Sequence, residues 1–246
     1  MFPYKDDNPT ILPPVMTIGI IVVNVAVWLL VQQMGTEPGL SQSVCQLGLI
    51  PGEFLHRLPA GTEVQMSPDM TCQLYAGATW YTPVTSMFMH GGWLHLIGNM
   101  WFLWVFGNNI EDSMGHFRFL IFYLFCGVLA AATQVVVQPS SAIPMVGASG
   151  AISAVMGAYI VLFPRVKVHM LIFLGIFVTT VRVPAVYMLG YWFFLQILGG
   201  IPALASESGG VAFWAHAGGF IAGAILVNLF KNPKLLAQRE QALSFG

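Results

Sequence analysis

Charge is what this chain of 246 residues has least of. Only 8% of its residues are Asp, Glu, Lys or Arg, 57% are hydrophobic, and the mean hydropathy is +0.75. Soluble globular domains carry about 25% charged residues, so the composition excludes a water-soluble domain and indicates an integral membrane protein. The nine Lys and Arg are scattered and the net charge is −1, which leaves no basic stripe of the kind nucleic acid requires. Cysteine is scarce too. Cys45, Cys72 and Cys126 show no C-x-x-C spacing, which argues against a structural zinc. The N-terminus, Met1 to Thr10, lacks the short apolar stretch and small-residue cleavage site of a signal peptide. The first apolar run is therefore expected to stay in the mature protein.

What the chain has instead is long apolar runs. Six candidate spans follow from hydropathy, at roughly 14–34, 93–110, 115–137, 146–163, 183–200 and 211–230. The expected fold is an all-α bundle of six transmembrane helices in a single domain over 1–246, with short tails. A shorter apolar piece from His169 to Thr180, flanked by Arg165, Lys167 and Arg182, reads as an interfacial or re-entrant segment. Orientation follows from the basic residues. With both termini inside, Lys5, Arg118, Arg165, Lys167, Arg182, Lys231, Lys234 and Arg239 face the cytoplasm, and only Arg57 lies outside. The long first outer loop, about 35–92, then holds Cys45 and Cys72 on the outer side, where a disulfide between them stays open. Cys126, inside the third span, reads as a packing residue. The small-residue loop Gly199 to Gly210 reads as a flap beside the last span.

The same topology brings four polar residues to one depth. His95 and Asn99 open the second span, Ser149 the fourth and His216 the sixth, and all three spans run from outside to inside. At the rise of an α-helix they lie within roughly 10 Å of the outer hydrocarbon edge. An ionisable residue at membrane depth is by default a functional candidate. Ser149 also has a packing reading, because Gly147, Gly150, Ala151, Ser153, Ala154 and Gly157 make a small-residue face. Gly219 and Gly223 form a G-x-x-x-G pair one turn after His216. Their packing on that face would set imidazole beside hydroxyl, and a serine needs such a base to attack at neutral pH. His95 and Asn99, four apart, share a helix face and can donate to an oxyanion. A structural pair, or a metal site with His90 and His216, is the plainer alternative. No carboxylate or thiolate lies near that depth, so neither a metal nor a cofactor is expected, and Ser149 and His216 read as a dyad with no acidic third member.

In these motifs the chain resembles the rhomboid family of intramembrane serine proteases, in its six-span prokaryotic form. The matching pieces are His95-Leu96-Ile97-Gly98-Asn99, Gly147-Ala148-Ser149-Gly150 and His216 with Gly219 and Gly223, in the family's order over residues 80–230. Lesser matches are His90-Gly91 and Glu111-Asp112 with Gly115. The resemblance implies Ser149 as nucleophile and His216 as general base and then acid. It implies an oxyanion hole from the Ser149 backbone N–H, His95 and Asn99, with single-pass transmembrane proteins as substrates. It also implies a cap before the sixth span, a fifth span that helps gate lateral access, and an active site toward the outer face of a bacterial plasma membrane. Oligomeric state stays open.

Two positions depart from the family. Where many members carry Trp-Arg in the first outer loop this chain has Tyr81 and Thr82, with Trp80 one residue earlier. Where some place a Tyr to stack on the histidine it has Ser153, leaving small-residue packing alone to hold His216. Two rival readings stand beside the protease. A non-catalytic rhomboid-like binder of membrane segments predicts loss of Ser149 or His216. A transporter or metal carrier predicts polar residues continuing inward along the fourth and sixth spans.

Overall fold

The computed structural model describes residues 2–59, 61–67, 70–74, 79–175, 177–204 and 211–244. In chain order its elements are β1 (Phe2–Asp6), α1 (Val15–Leu30), α2 (Gly39–Leu47), α3 (Pro51–Phe54), β2 (Glu63–Ser67), β3 (Met70–Gln73), α4 (Thr82–Thr85), α5 (Trp93–Met114), α6 (His116–Val137), α7 (Ser149–Leu162), β4 (Lys167–Leu174), β5 (Phe177–Pro184), α8 (Ala185–Ala203), α9 (Phe213–Phe230) and α10 (Pro233–Ser244). Six long helices, α1 and α5 to α9, coincide with the six apolar runs. Of these α6, α8 and α9 are long and apolar enough to cross a membrane, and α1 and α7 are shorter apolar helices. The sixth, α5, spans 22 residues, but Asn108, Asn109, Glu111 and Asp112 make its last turns polar.

Those polar turns fasten α5 to the start of α1. The first N–H groups of a helix have no partner within it and carry its positive end. Both carboxylates are buried, Glu111 against that end and Asp112 against the chain leading into it. Glu111 accepts from the backbone N–H of Met16 and of Thr17, each at 2.8 Å, and from Thr17 Oγ1 at 2.7 Å. Asp112 accepts from the N–H of Ile11 at 3.1 Å and of Leu12 at 2.7 Å.

The bundle centre is α7, wrapped by α5, α6 and α9, with Val155, Met156 and Tyr159 fully enclosed. The α7–α9 approach is closer than side chains allow. A Cβ on Gly219 would stand 2.1 Å from the Gly150 carbonyl oxygen, one on Gly223 2.0 Å from that of Ala154, and one on Gly157 2.0 Å from that of Phe220. Van der Waals contact and not solvent exclusion drives association between apolar helices in lipid, so these absent side chains are what let the pair pack.

Two small sheets depart from an all-α fold. The apolar piece 169–180, expected as an interfacial or re-entrant segment, has strand and not helical backbone. It forms the β4–β5 hairpin, turning at Gly175 (φ +65°), and β1 from the chain's start adds antiparallel to β4. Val178, Thr179, Thr180, Val181 and Val183 are β-branched and favour the pleated strand. The second departure is β2–β3 in the first loop. That loop is further structured by α2 to α4 and by a disulfide from Cys45 in α2 to Cys72 in β3, with Cα atoms 5.3 Å apart. Cys126 is a buried free thiol. Of the flap Gly199 to Gly210, residues 199–204 end α8 and continue just past it, and 205–210 lie outside the described residues.

Candidate active site

The site grows from the turn into α7. Gly147 has φ +121°, a backbone that favours glycine. It also leaves room that a side chain would fill, because a Cβ there would come within 2.7 Å of His95 Nε2 and 3.4 Å of Asn99 Nδ2. His95 and Asn99 on α5 therefore meet the backbone two residues before Ser149, the first residue of α7. From α9, His216 brings Nε2 to 2.6 Å from Ser149 Oγ. All four polar candidates thus meet at one end of α5, α7 and α9, and they line one cavity of about 910 Å³.

The hydrogen bonds on the imidazoles restrict their proton positions. The Gly91 backbone N–H donates to His95 Nδ1 at 3.3 Å. Nδ1 is therefore the acceptor in the neutral ring, and Nε2 carries the proton toward Gly147. Asn99 Nδ2 is buried with no hydrogen-bond partner among the described residues. Two donors thus face the turn that carries Ser149. A buried donor without a partner costs about 1–3 kcal/mol, so an acceptor brought to this place would be bound favourably.

Small-residue packing does not by itself hold His216. On its far side Nδ1 lies 2.8 Å from Gln196 Oε1, from α8, and the Trp192 ring lies 5.9 Å away at a 34° tilt. The Trp192 ring also rests 6.1 Å from Phe220. Ser153 turns its hydroxyl back onto the Ser149 carbonyl at 2.6 Å. Gln196 and Trp192 were missed in the sequence because neither belongs to a motif. The one signal was an amide in the middle of an apolar span, a group that needs a partner there.

Two further polar groups brace the site. Gln134 on α6 accepts from the Ala215 N–H at 3.2 Å, which steadies the first turn of α9. Before α5, His90 is clasped through its backbone, its N–H donating to Gln32 Oε1 and its carbonyl accepting from Gln32 Nε2, both at 2.8 Å. Burial, with neighbouring His95 adding to it, pushes the His90 imidazole down to about 3, so it is neutral at physiological pH. At the departure in the first loop, Thr82 Oγ1 caps locally on the Thr79 carbonyl at 2.8 Å and Trp80 is exposed. Thr85 Oγ1, bonded to the Leu47 carbonyl at 2.8 Å, ties α4 back to the end of α2.

Comparison with known proteins supplies a second line of observation. Residues 77–232, more than half of the chain, match the rhomboid domain family. A chloroplast protein of Arabidopsis thaliana described as rhomboid-like protein 11 is 44% identical over 73 residues, covering 30% of this chain and 26% of its own length. A Bacillus subtilis protein described as a putative rhomboid protease, YdcA, is 32% identical over 85 residues, covering 35% and 42%. Mitochondrial rhomboid protein 1 of Saccharomyces cerevisiae is 27% identical over 171 residues, covering 65% and 44%. The chain thus matches less than half the length of each of these relatives.

Proposed function

The chain belongs to the rhomboid family, and from that premise we propose that it is an intramembrane serine endopeptidase acting on single-pass transmembrane proteins. The family is one of generally intramembrane serine proteases with some inactive members. The observation that carries the active reading is the 2.6 Å contact between Ser149 Oγ and His216 Nε2, made across two helices at the wall of an open cavity.

In this reading Nε2 takes the hydroxyl proton as Oγ attacks the scissile carbonyl carbon. The oxyanion that forms accepts hydrogen bonds from the Ser149 backbone N–H, His95 Nε2–H and Asn99 Nδ2–H, donors fixed before the reaction begins. His216 then gives the proton to the leaving amine, and an acyl-enzyme on Ser149 remains. Water, deprotonated by the same nitrogen, attacks the ester and frees the second product. Neither a metal nor a cofactor takes part. We read all six long helices as spans with both termini inside, which puts Ser149 on the outer side of a bacterial plasma membrane and lets substrate reach it laterally past α8. Gly147, Gly150, Gly219 and Gly223 serve by packing.

The test is purified, detergent-solubilised protein with a single-pass substrate, beside Ser149→Ala and His216→Ala. Cleavage and fluorophosphonate labelling by the wild type, each falling at least a thousandfold in both variants, is the expected outcome, since loss of either member of such a unit removes most of the catalysis. A folded wild-type protein that binds transmembrane segments yet neither labels nor cleaves would overturn the protease reading in favour of a non-catalytic binder.

A further inference from the structure

The far side of His216 is the part of the site that no motif explains. Its Nδ1 lies 2.8 Å from Gln196 Oε1. The other end of that amide is spoken for, because Gln196 Nε2 reaches the carbonyl of Trp192, one turn earlier in α8, at 3.3 Å. A carbonyl only accepts, so the NH₂ must face Trp192 and the amide oxygen must face the imidazole. An amide oxygen also only accepts, so Nδ1 must carry the ring proton. In the neutral ring that leaves Nε2 bare, and Nε2 is the atom 2.6 Å from Ser149 Oγ. The backbone of α8 thus dictates, through two hydrogen bonds, which nitrogen of His216 can accept a proton from the serine.

We infer that Gln196 is the positioning residue of the Ser149–His216 pair, a neutral amide in the place where a soluble serine protease uses a carboxylate. The inference rests on the protease reading above. A carboxylate at this depth would be costly to ionise, and an amide accepts the same N–H without that cost. Gln196 is 9% exposed and Trp192 packs beside it against His216 and Phe220, so the amide has little solvent to turn toward. Because Gln196 belongs to α8, its oxygen serves His216 only while α8 lies against α9.

Three variants separate orientation from packing. Gln196→Met keeps the side-chain length and apolar contacts but offers only a weak acceptor. Gln196→Leu removes the acceptor altogether, and Gln196→Glu keeps an oxygen within the same reach. With the acceptor gone, a buried N–H is left unpaired and the wrong tautomer becomes accessible. The Met and Leu variants should then show kcat and the fluorophosphonate labelling rate reduced by roughly ten- to a hundredfold, with KM unchanged and melting within a few degrees of wild type. Gln196→Glu should recover at least part of that loss. A Met variant that labels and cleaves at the wild-type rate, or a Glu variant that melts normally yet is no better than Met, would overturn the assignment.

A measurement on the unaltered protein does not depend on any variant at Gln196 folding. Nitrogen-15 spectra of ring-labelled histidine, with the His216 signals identified by their loss in His216→Ala, should show protonated Nδ1 and bare Nε2 at neutral pH. The reverse tautomer would refute the inference even if the protein proved an active protease. A wild type inert to substrate and probe would instead defeat the protease reading while leaving the tautomer result to stand.

Discussion

His95, Asn99 and Gly147 form a unit of three residues in which each explains the others. Asn99 Nδ2 is a buried donor with no partner among the described residues, and His95 presents Nε2–H because its other nitrogen accepts from the Gly91 N–H. In the proposed mechanism both face the developing charge, and donors so placed are worth about 10²–10³ in kcat each. Asn99→Ala and His95→Ala should therefore each lower kcat by that order while fluorophosphonate labelling falls less steeply, as steady-state kinetics beside labelling rates would show. A rise in KM with kcat unchanged would mean that these donors bind substrate and do not stabilise the oxyanion. These residues were legible without coordinates because polar groups at matching depth in separate apolar runs are costly and few. Gln196 was not. It is one of several glutamines in the chain, and only the packing of α8 on α9 reveals that its oxygen meets the imidazole.

At the scale of elements, the fold is governed by how closely α7 and α9 approach. The nearest contacts at Gly157, Gly219 and Gly223 are each to a backbone carbonyl oxygen of the opposite helix, so a new methyl group meets atoms that cannot rotate away. Overpacking of this kind costs about 1–3 kcal/mol. Gly223→Ala and Gly157→Ala should each lower the melting temperature in detergent by several degrees. Gly19, with open space around its missing Cβ, supplies the control, and Gly19→Ala should leave melting unchanged. Equal melting of all three would show that the helices can part without loss. Such glycines announce themselves by their four-residue spacing, as do long helices by hydropathy. The β4–β5 hairpin does not, because an apolar run of this length fits an interfacial segment as well as a strand, and only its β-branched residues favour the strand. Its third strand comes from the chain's first residues, and no local pattern signals a pairing of Phe2 with Leu171.

Across the whole molecule the two ends of the bundle are built differently. One end holds the cavity with its unpartnered donor, whereas the other is closed by a polar network joining β1, α5, α7 and α10. There Tyr159 Oη–H and Asn109 Nδ2 both donate to Asp6, and Arg239 of α10 donates to Asn8 and Asn109 and lies over the Phe163 ring. Burial raises the Asp6 carboxyl to about 6 from an ordinary 3.8, against the pull of Tyr159 and Arg239. Between those two values the folded protein keeps a proton that the unfolded chain has released, so this group's contribution to stability falls as pH rises through the window. A shift of this size corresponds to about 3 kcal/mol for a fully enclosed group, and less for half-buried Asp6. His90 acts in the opposite sense, since its ring resists protonation down to about 3 while the unfolded ring charges near 6.5. Asp7, held below its ordinary value by the His169 ring 2.6 Å away, makes its change below 3.8. The raw melting curve therefore mixes opposing trends. The difference between wild type and Asp6→Asn isolates one of them, because the substituted amide keeps an acceptor for Tyr159 but cannot ionise. The melting temperature of the wild type minus that of the variant should fall by a few degrees between pH 4 and pH 7, with most of the change complete by about pH 6.5. A difference that stays flat would mean that Asp6 is solvated in both states, and that the network closing this end of the bundle is held by Arg239 and the two asparagines without it.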